Sequence, residues 1–327
     1  MITRRDFLTT ALAAATTATQ PLAAAATQAW PSTYLKLLVG GAAGSVPDTL
    51  ARVVADALGK PLGQTIVVEN RPGAGGIVAM QGVIGAPPDG YTIALTTIAQ
   101  LVYNSYLFAR LPYDPLNDVR PISTIAGSAA ALVAHPSLPV STLADLIALS
   151  RKEPGQLLVG IPSNGSPPHI AALLLMRETK LAATIVPFRS GPDALTAVIR
   201  GDVQLLVEGP TAIAAQVDSK TVKPIVVTGP HRMAALKDVP TIIEMGYPSA
   251  VVESWIGLVA PARTPDAIVE RLGAEVRALV KDDAYVGKLA QISFTPKSAT
   301  PQEFADLIAG EHRRWAPVLQ ASGLKFG

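Results

Sequence analysis

Short apolar runs alternate with helix-like repeats along most of this chain. In its first third, apolar or β-branched runs predict strands at Leu35–Val39, Thr65–Glu69 and Tyr91–Thr97. Between them, apolar residues at helical spacing predict helices at Pro47–Leu58 and Ile77–Ile84. This βαβαβ order favours a parallel, doubly wound α/β sheet, because each helix carries the chain back to the edge where the next parallel strand begins.

The same alternation continues through the rest of the chain. Further strands are predicted at Val119–Ile125, Ala129–Ala134, Leu157–Ile161, Thr184–Phe188, Val203–Val207, Val222–Thr228 and Trp255–Ala260. Helical segments are predicted at Asn104–Phe108, Ser141–Arg151 (with Ser141 as its cap), Ile170–Glu178, Asp193–Arg200, Thr211–Val217, Thr264–Lys281, Ala284–Gln291 and Pro301–Gln320, with a loop and short helix at Val239–Tyr247. Two such series predict two α/β lobes, each with its own doubly wound sheet.

No low-complexity linker separates the two series, so we expect several chain crossings between the lobes. Crossings near Ile125–Ala131 and Val251–Trp255 would form a hinge. This division places residues 27–128 and 251–327 in lobe 1 and residues 129–250 in lobe 2. A ligand would then bind in the cleft between the lobes, at the carboxyl ends of the strands of both sheets.

The composition excludes several classes of function. The 327 residues are 49% hydrophobic and 16% charged, as in a globular protein, and the formal net charge of +2 does not suggest binding to nucleic acid or to an anionic membrane surface. The absence of Cys excludes disulfides, cysteine nucleophiles and thiolate metal sites.

The N-terminal segment resembles an export signal. Its basic start, Thr3-Arg4-Arg5-Asp6-Phe7-Leu8, is followed by an Ala/Thr-rich stretch up to Ala26. We expect residues 1–26 to be a signal that is cleaved near Ala26, so that a soluble periplasmic protein begins near Thr27. The paired arginines fit the twin-arginine route, and a general secretory signal with two arginines is the alternative.

The segment Gly40–Arg52 joins a predicted strand to a predicted helix and is rich in Gly and Ala. Such a joint leaves backbone N–H groups beside the positive end of a helix, which favours an anionic ligand; the alternative is a tight turn without a ligand. Because Asp48 lies in the first helical turn, the amides of Ala42–Ser45 are the better candidate donors. A dinucleotide site is a weaker alternative, since the G-x-G-x-x-G spacing is absent.

Catalytic and metal-binding motifs are not evident. The nucleophile elbow G-x-S-x-G is absent, and the four His residues are scattered without an H-x-x-x-H pair. We therefore expect no catalytic residues, no metal and no cofactor.

Several motifs in the same order resemble those of the tripartite tricarboxylate transporter substrate-binding proteins, the Bug family. They are Val67-Val68-Glu69-Asn70-Arg71-Pro72-Gly73-Ala74-Gly75-Gly76, Pro87-Pro88-Asp89-Gly90-Tyr91-Thr92, Asp238-Val239-Pro240-Thr241-Ile242-Ile243-Glu244-Met245-Gly246-Tyr247-Pro248 and Trp255-Ile256-Gly257-Leu258 with Ala260-Pro261. The resemblance extends from about Leu35 to Gly323. It implies a two-lobed periplasmic-binding-protein fold (type II, Venus-flytrap) that closes on a small carboxylated solute and delivers it to a membrane permease.

The resemblance also implies which loops bind the ligand. The first family loop resembles P-G-G-x-x-D-x-x-A-R, and here Ala43 replaces Pro and Ser45 the second Gly, while Asp48 and Arg52 match. A family G-S-x-x-H loop is matched by residues 165–169, and residues 187–191 depart from a P-Y-K-G-like segment. The predicted ligand-binding residues are Ala43, Gly44, Ser45, Asp48, Thr97, Ile98, Ala99, Asn164, Ser166, His169, Arg189, Ser190 and Glu208.

Several of these residues have structural alternatives. Asp48 and His169 also suit the start of a helix, and Arg189 also suits an exposed surface. If Arg189 faces the cleft, its guanidinium can bind a carboxylate bidentately. Thr97, Ile98 and Ala99 end a strand and can offer backbone N–H groups. Glu208 would repel a carboxylate, which argues for an amine or hydroxyl group on the ligand if Glu208 faces the cleft.

The predicted function is capture of a small carboxylate by hinge closure, by a monomer that is not an enzyme and does not bind nucleic acid. The partner would be a membrane permease. Two alternatives stay open: an exported enzyme that uses the same cleft, and a sensor that presents its closed form to a receptor.

Overall fold

The computed structural model of this protein describes residues 30–152 and 154–325. The predicted signal, its cleavage near Ala26 and the mature start near Thr27 lie outside these residues. None of the helices in the described ranges combines the length and the apolar character that a membrane span requires.

Eleven strands and ten α-helices form the framework of the described residues. The strands are β1 (Leu35–Val39), β2 (Ile66–Asn70), β3 (Thr92–Thr97), β4 (Val119–Ala129), β5 (Ala131–Ala134), β6 (Leu158–Ile161), β7 (Thr184–Pro187), β8 (Leu205–Glu208), β9 (Lys223–Val227), β10 (Glu253–Pro261) and β11 (Thr295–Pro296). The helices are α1 (Val46–Leu62), α2 (Ile77–Ile84), α3 (Asn104–Leu107), α4 (Leu143–Lys152), α5 (Pro167–Thr179), α6 (Gly191–Arg200), α7 (Pro210–Asp218), α8 (Asp266–Leu279), α9 (Asp283–Gln291) and α10 (Pro301–Ala321).

Two sheets define the two lobes, and the predicted α/β class is confirmed. Lobe 1 contains a six-stranded sheet of order β11-β4-β10-β3-β1-β2, and lobe 2 a five-stranded sheet of order β7-β6-β8-β5-β9. Strands β2, β1 and β3 are parallel neighbours in lobe 1, as are β7, β6 and β8 in lobe 2. The carboxyl ends of three adjacent parallel strands therefore meet at one edge of each sheet.

The prediction of purely parallel sheets was wrong. Strand β10 is antiparallel to β3 and β4, and strand β5 is antiparallel to β8 and β9. In each sheet this antiparallel strand follows directly on the segment that leaves the other lobe. Its direction is set by where the crossing enters the sheet, and the apolar pattern of a buried strand carries no information about direction.

The chain changes sheets between Ala129 and Ala131 and again just before Glu253. The Thr228 side chain ties these two crossings together, since its hydroxyl lies 3.1 Å from the amide nitrogen and carbonyl oxygen of Ala130 and 3.0 Å from the carbonyl oxygen of Val252. Backbone bonds from Thr228 N to Ala130 O and from Val252 N to Thr228 O, both 2.8 Å, complete the junction. The predicted lobe limits at residues 128 and 251 remain a proposal about which parts move as units.

Three local predictions needed correction. Helix α4 is capped by Thr142, whose hydroxyl accepts from the Asp145 amide, and not by Ser141, which lies one residue earlier. Residues 239–247 form turns without a helix, held by a bridge from Thr241 to Val227. After β3 the chain enters a π-helical turn, Ala99–Tyr103, before α3.

Candidate functional site

The loops that follow β1, β2 and β3 pack against one another in lobe 1. A methyl group added at Gly40 would lie 2.9 Å from the Cα atom of Gly76, and one added at Gly76 would collide with the Gln100 side chain. Gly76 also has a φ of +88°, which a side chain would strain. Glycine therefore permits a close approach of three loops at the carboxyl edge of this sheet.

Asp48 holds the first of these loops together. Its buried carboxylate accepts hydrogen bonds from the Gly44 amide (2.8 Å), from Nε of Arg52 (3.0 Å) and from Nδ2 of Asn70 (3.0 Å). Burial raises the pKa of Asp48, but the hydrogen bonds from Arg52, Gly44 and Asn70 outweigh burial and leave its pKa below the usual value. Asp48 is therefore an organiser of the loop, and Arg52 is its partner.

This loop offers fewer backbone donors than the sequence suggested. The Gly44 amide is occupied by Asp48, and the Ser45 amide donates to the Ala42 carbonyl at 3.1 Å. The amides of Ala42 and Ala43 remain as candidates. The Ser45 hydroxyl is buried and has no partner among the described residues, although Ser45 occupies the N-cap position of α1.

The end of β3 is also internally bonded. The Thr97 amide donates to Oε1 of Gln100 at 2.8 Å, and the Ala99 amide donates to the Thr97 hydroxyl at 3.2 Å, while Ile98 is fully buried in the core. The expectation that the Thr97 and Ala99 amides are free to donate was wrong for this conformation, because the π-helical turn brings the Gln100 side chain back onto the strand end. Gln100 was missed in the sequence, and its only signal was a polar amide directly after a strand.

In lobe 2, the loop after β6 is ordered by the start of α5. The Ser166 hydroxyl accepts from the His169 amide at 3.3 Å and donates to the Ser163 carbonyl at 2.7 Å, so Ser166 is the helix cap. Nδ1 of His169 accepts from the Gly165 amide at 2.9 Å, and burial lowers the pKa of His169 to about 4. His169 is therefore neutral near pH 7 and supports the loop, while Asn164 is exposed.

The loop after β7 leads into α6. The Ser190 hydroxyl caps this helix, accepting from the Asp193 amide at 3.3 Å and donating to Oδ2 of Asp193 at 2.8 Å. Arg189, just before it, is exposed and forms no ion pair with any residue of the described ranges. It thus presents an uncompensated positive charge beside the start of a helix.

Glu208 ends β8 and is 7% exposed. Its Oε1 accepts from the Gly209 amide at 2.7 Å, whereas Oε2 is buried without a partner in the described structure. Burial raises the pKa of Glu208 to about 7, opposed only by the Gly209 amide. The prediction that Glu208 repels a carboxylate ligand therefore holds only for the fraction of molecules in which Glu208 is ionised.

The predicted residues fall into two groups at strand ends, one in each lobe. Two large surface cavities lie elsewhere: a groove of about 870 Å³ along α1 and β2, and a cavity of about 410 Å³ beside the second crossing, lined by Trp255 and Arg314 among others. Neither is lined by a predicted ligand-binding residue. Within residues 30–152 and 154–325, no three His, Cys, Asp or Glu side chains group as a metal site would require.

Comparison with known proteins gives consistent matches over most of the chain. Residues 50–324 match the model of the tripartite tricarboxylate transporter family receptor. Protein BugT of Bordetella pertussis is 30% identical over 298 residues, which cover 91% of either chain. The solved structure of R. palustris Rpa4515 with adipate is 32% identical with a TM-score of 0.84, covering 91% of this chain and all of that one. MatC from Rhodopseudomonas palustris with bound malate is 30% identical with a TM-score of 0.78, covering 88% and 99%.

Proposed function

The chain belongs to the tripartite tricarboxylate transporter family of receptors, and on that premise we propose that it captures a small dicarboxylate by closing its two lobes around it. The arrangement of the two sheets carries this proposal: in each, three adjacent parallel strands end at one edge, and the loops at those edges hold the unpaired polar groups. The bound adipate and malate of two similar proteins support carboxylates as the ligand class.

The lobe 1 seat would consist of the Ala42 and Ala43 amides and the Ser45 hydroxyl, beside the positive end of α1. Asp48 does not compete with the ligand directly, since its carboxylate is already surrounded by protein donors. The lobe 2 seat would consist of Arg189 and the start of α6, where a guanidinium and a helix N-terminus both favour an anion.

Closure follows from this division of contacts. A ligand with a carboxylate at each end satisfies donors of both lobes only in the closed state, so its binding free energy shifts the equilibrium toward that state. The two crossings joined through Thr228 are the hinge in this proposal. We further propose that the protein acts in the periplasm, leaves its ligand chemically unchanged and delivers it to a membrane permease.

The test is a thermal-unfolding scan of the purified protein with dicarboxylates, tricarboxylates, amino acids and aromatic acids. A ligand at one hundred times its dissociation constant adds about 2.7 kcal/mol to the free energy of unfolding. We expect a saturable rise in melting temperature with a dicarboxylate, weakened by Arg189→Ala and by Ser45→Gly. Arg200→Ala is the matched control, because Arg200 is an exposed arginine at the opposite end of α6.

Two further measurements protect this test. Refolding from denaturant before the scan removes any co-purified ligand, so a protein that then ignores every acid refutes carboxylate capture. Recovery of the ligand after prolonged incubation, with its mass unchanged, supports a binding protein, whereas conversion of the ligand would establish an enzyme.

A further inference from the structure

Glu208 is a buried carboxyl group that is only half satisfied. Its Oε2 has no hydrogen-bond partner among the described residues, and a methyl group added at Gly191, the first residue of α6, would lie 2.6 Å from that atom. The carboxyl group therefore lies directly against the start of α6, next to the proposed anion seat. An ionised carboxylate that is buried with an unpaired oxygen is costly, and the neutral acid avoids this cost.

No ion pair compensates for this burial within the described structure. Strands β5 and β6, which flank β8, carry no ionisable side chain. The ionisable side chains on the other elements around β8 are Arg189, just before α6, Asp193 and Arg200 on α6, Asp218 on α7, and His169, Arg177 and Glu178 on α5. Asp193 bonds Ser190, Arg177 pairs with Glu178, and His169 is neutral.

The charge of Glu208 then decides what the start of α6 can accept. With Glu208 ionised, a ligand carboxylate at this helix end would meet a second negative charge in a poorly solvated environment. With Glu208 protonated, only the favourable contributions of the helix N-terminus and Arg189 remain. Gly191 strengthens this coupling, since the absence of a side chain allows the carboxyl group to lie close to the helix end.

We propose that capture of a carboxylate in lobe 2 takes up one proton from solvent at Glu208, so that this residue determines specificity by admitting an anion only in its neutral form. The proton binds Oε2, converting the carboxylate to a carboxylic acid, and is released when the ligand leaves. This inference rests on the proposed function, because it takes the ligand to be a carboxylate seated at the start of α6.

The first test is the dissociation constant of adipate between pH 6.5 and pH 8.5, a range in which both carboxylates of adipate are ionised. We expect the affinity of the wild-type protein to fall roughly 20-fold across this range, because each pH unit above the pKa removes about nine-tenths of the neutral form. Glu208→Gln carries no titrating proton, so it should bind at both pH values about as tightly as the wild type does at pH 6.5. Glu178→Gln removes another carboxylate of lobe 2 and should keep the wild-type pH dependence.

The second test needs no ligand. The ¹³C signal of the Glu208 carboxyl group, assigned by its loss in Glu208→Gln, should titrate near pH 7 in the free protein and at a higher pH with adipate bound. Titration near the ordinary value of Glu would overturn the inference, as would an affinity for adipate that is independent of pH in the wild type or that rises with pH. Those results would leave carboxylate capture standing, whereas failure of both proteins to bind any carboxylate at any pH would refute both proposals.

Discussion

Replacing Thr228 by valine tests whether the hydroxyl between the two crossings stabilises the fold. Thr228 is fully buried, and its oxygen is the acceptor for the Ala130 amide. The single hydroxyl proton is donated either to the Ala130 carbonyl or to the Val252 carbonyl. Valine has nearly the same shape but neither accepts nor donates.

The expected cost follows from the groups that valine leaves unpaired. The Ala130 amide would be buried without an acceptor, which costs about 1–3 kcal/mol, and one neutral hydrogen bond worth about 1 kcal/mol would be lost. The Ala130 carbonyl keeps its bond from the Thr228 amide. The added methyl group recovers about 0.8 kcal/mol. We therefore expect Thr228→Val to lower the free energy of unfolding by about 2 kcal/mol.

Urea unfolding of the ligand-free protein measures this change, provided that fluorescence and circular dichroism give coincident transitions and the m-values match. The control is Thr96→Val, since Thr96 is also fully buried but its hydroxyl has no partner among the described residues. That substitution removes an unsatisfied group and should leave the stability unchanged or raise it by up to about 1 kcal/mol. If the two variants differ from the wild type by the same amount, the hydroxyl of Thr228 does not stabilise the junction and the reasoning fails.

Two further predictions concern the loops of the proposed site. Because burial lowers the folded-state pKa of His169 to about 4, well below the unfolded value, its contribution to stability is complete above about pH 6.5 and is lost as the pH falls toward 4. Chemical denaturation at several pH values should therefore show wild type losing roughly 3 kcal/mol relative to His169→Gln across that range, and parallel curves for the two proteins would contradict a buried neutral histidine. Asp48→Asn should lower stability by about 1–3 kcal/mol, because an amide replaces a carboxylate that accepts from Gly44, Arg52 and Asn70. Urea midpoints check this, and a variant as stable as the wild type would mean that the carboxylate does not organise the loop.

The hydrophobic pattern located most of the secondary structure. Strand β1 and helix α2 have the predicted limits, and many other elements differ from the prediction by one to three residues. Such limits depend on local chemistry: apolar periodicity marks the buried face of an element, and Gly, Pro or a capping residue marks its end. Where two capping residues are adjacent, as at Ser141 and Thr142, the sequence could not choose between them, since either hydroxyl can accept a helix amide.

The candidate site was less accessible to this kind of reasoning. Sequence position brought Ser45, Arg189 and Glu208 to strand ends, where ligands of α/β proteins bind. It could not tell that the amides of Gly44 and Thr97 already have acceptors, because Asp48 and Gln100 reach them only through the local folding of their loops. Which groups remain free for a ligand is therefore a property of the folded loops.

By itself, the sequence determined the α/β class, the presence of two lobes and the family, since these depend on local periodicity and on motifs that survive as runs of residues. Only the tertiary structure decided the antiparallel direction of β5 and β10, the junction at Thr228 and the charge of Glu208. Strand direction depends on where a crossing enters the sheet, and Thr228 meets Ala130 across 98 residues of chain. The pKa of a carboxyl group depends on how completely its neighbours exclude water, and for Glu208 this exclusion comes from parts of the chain that only the fold brings together.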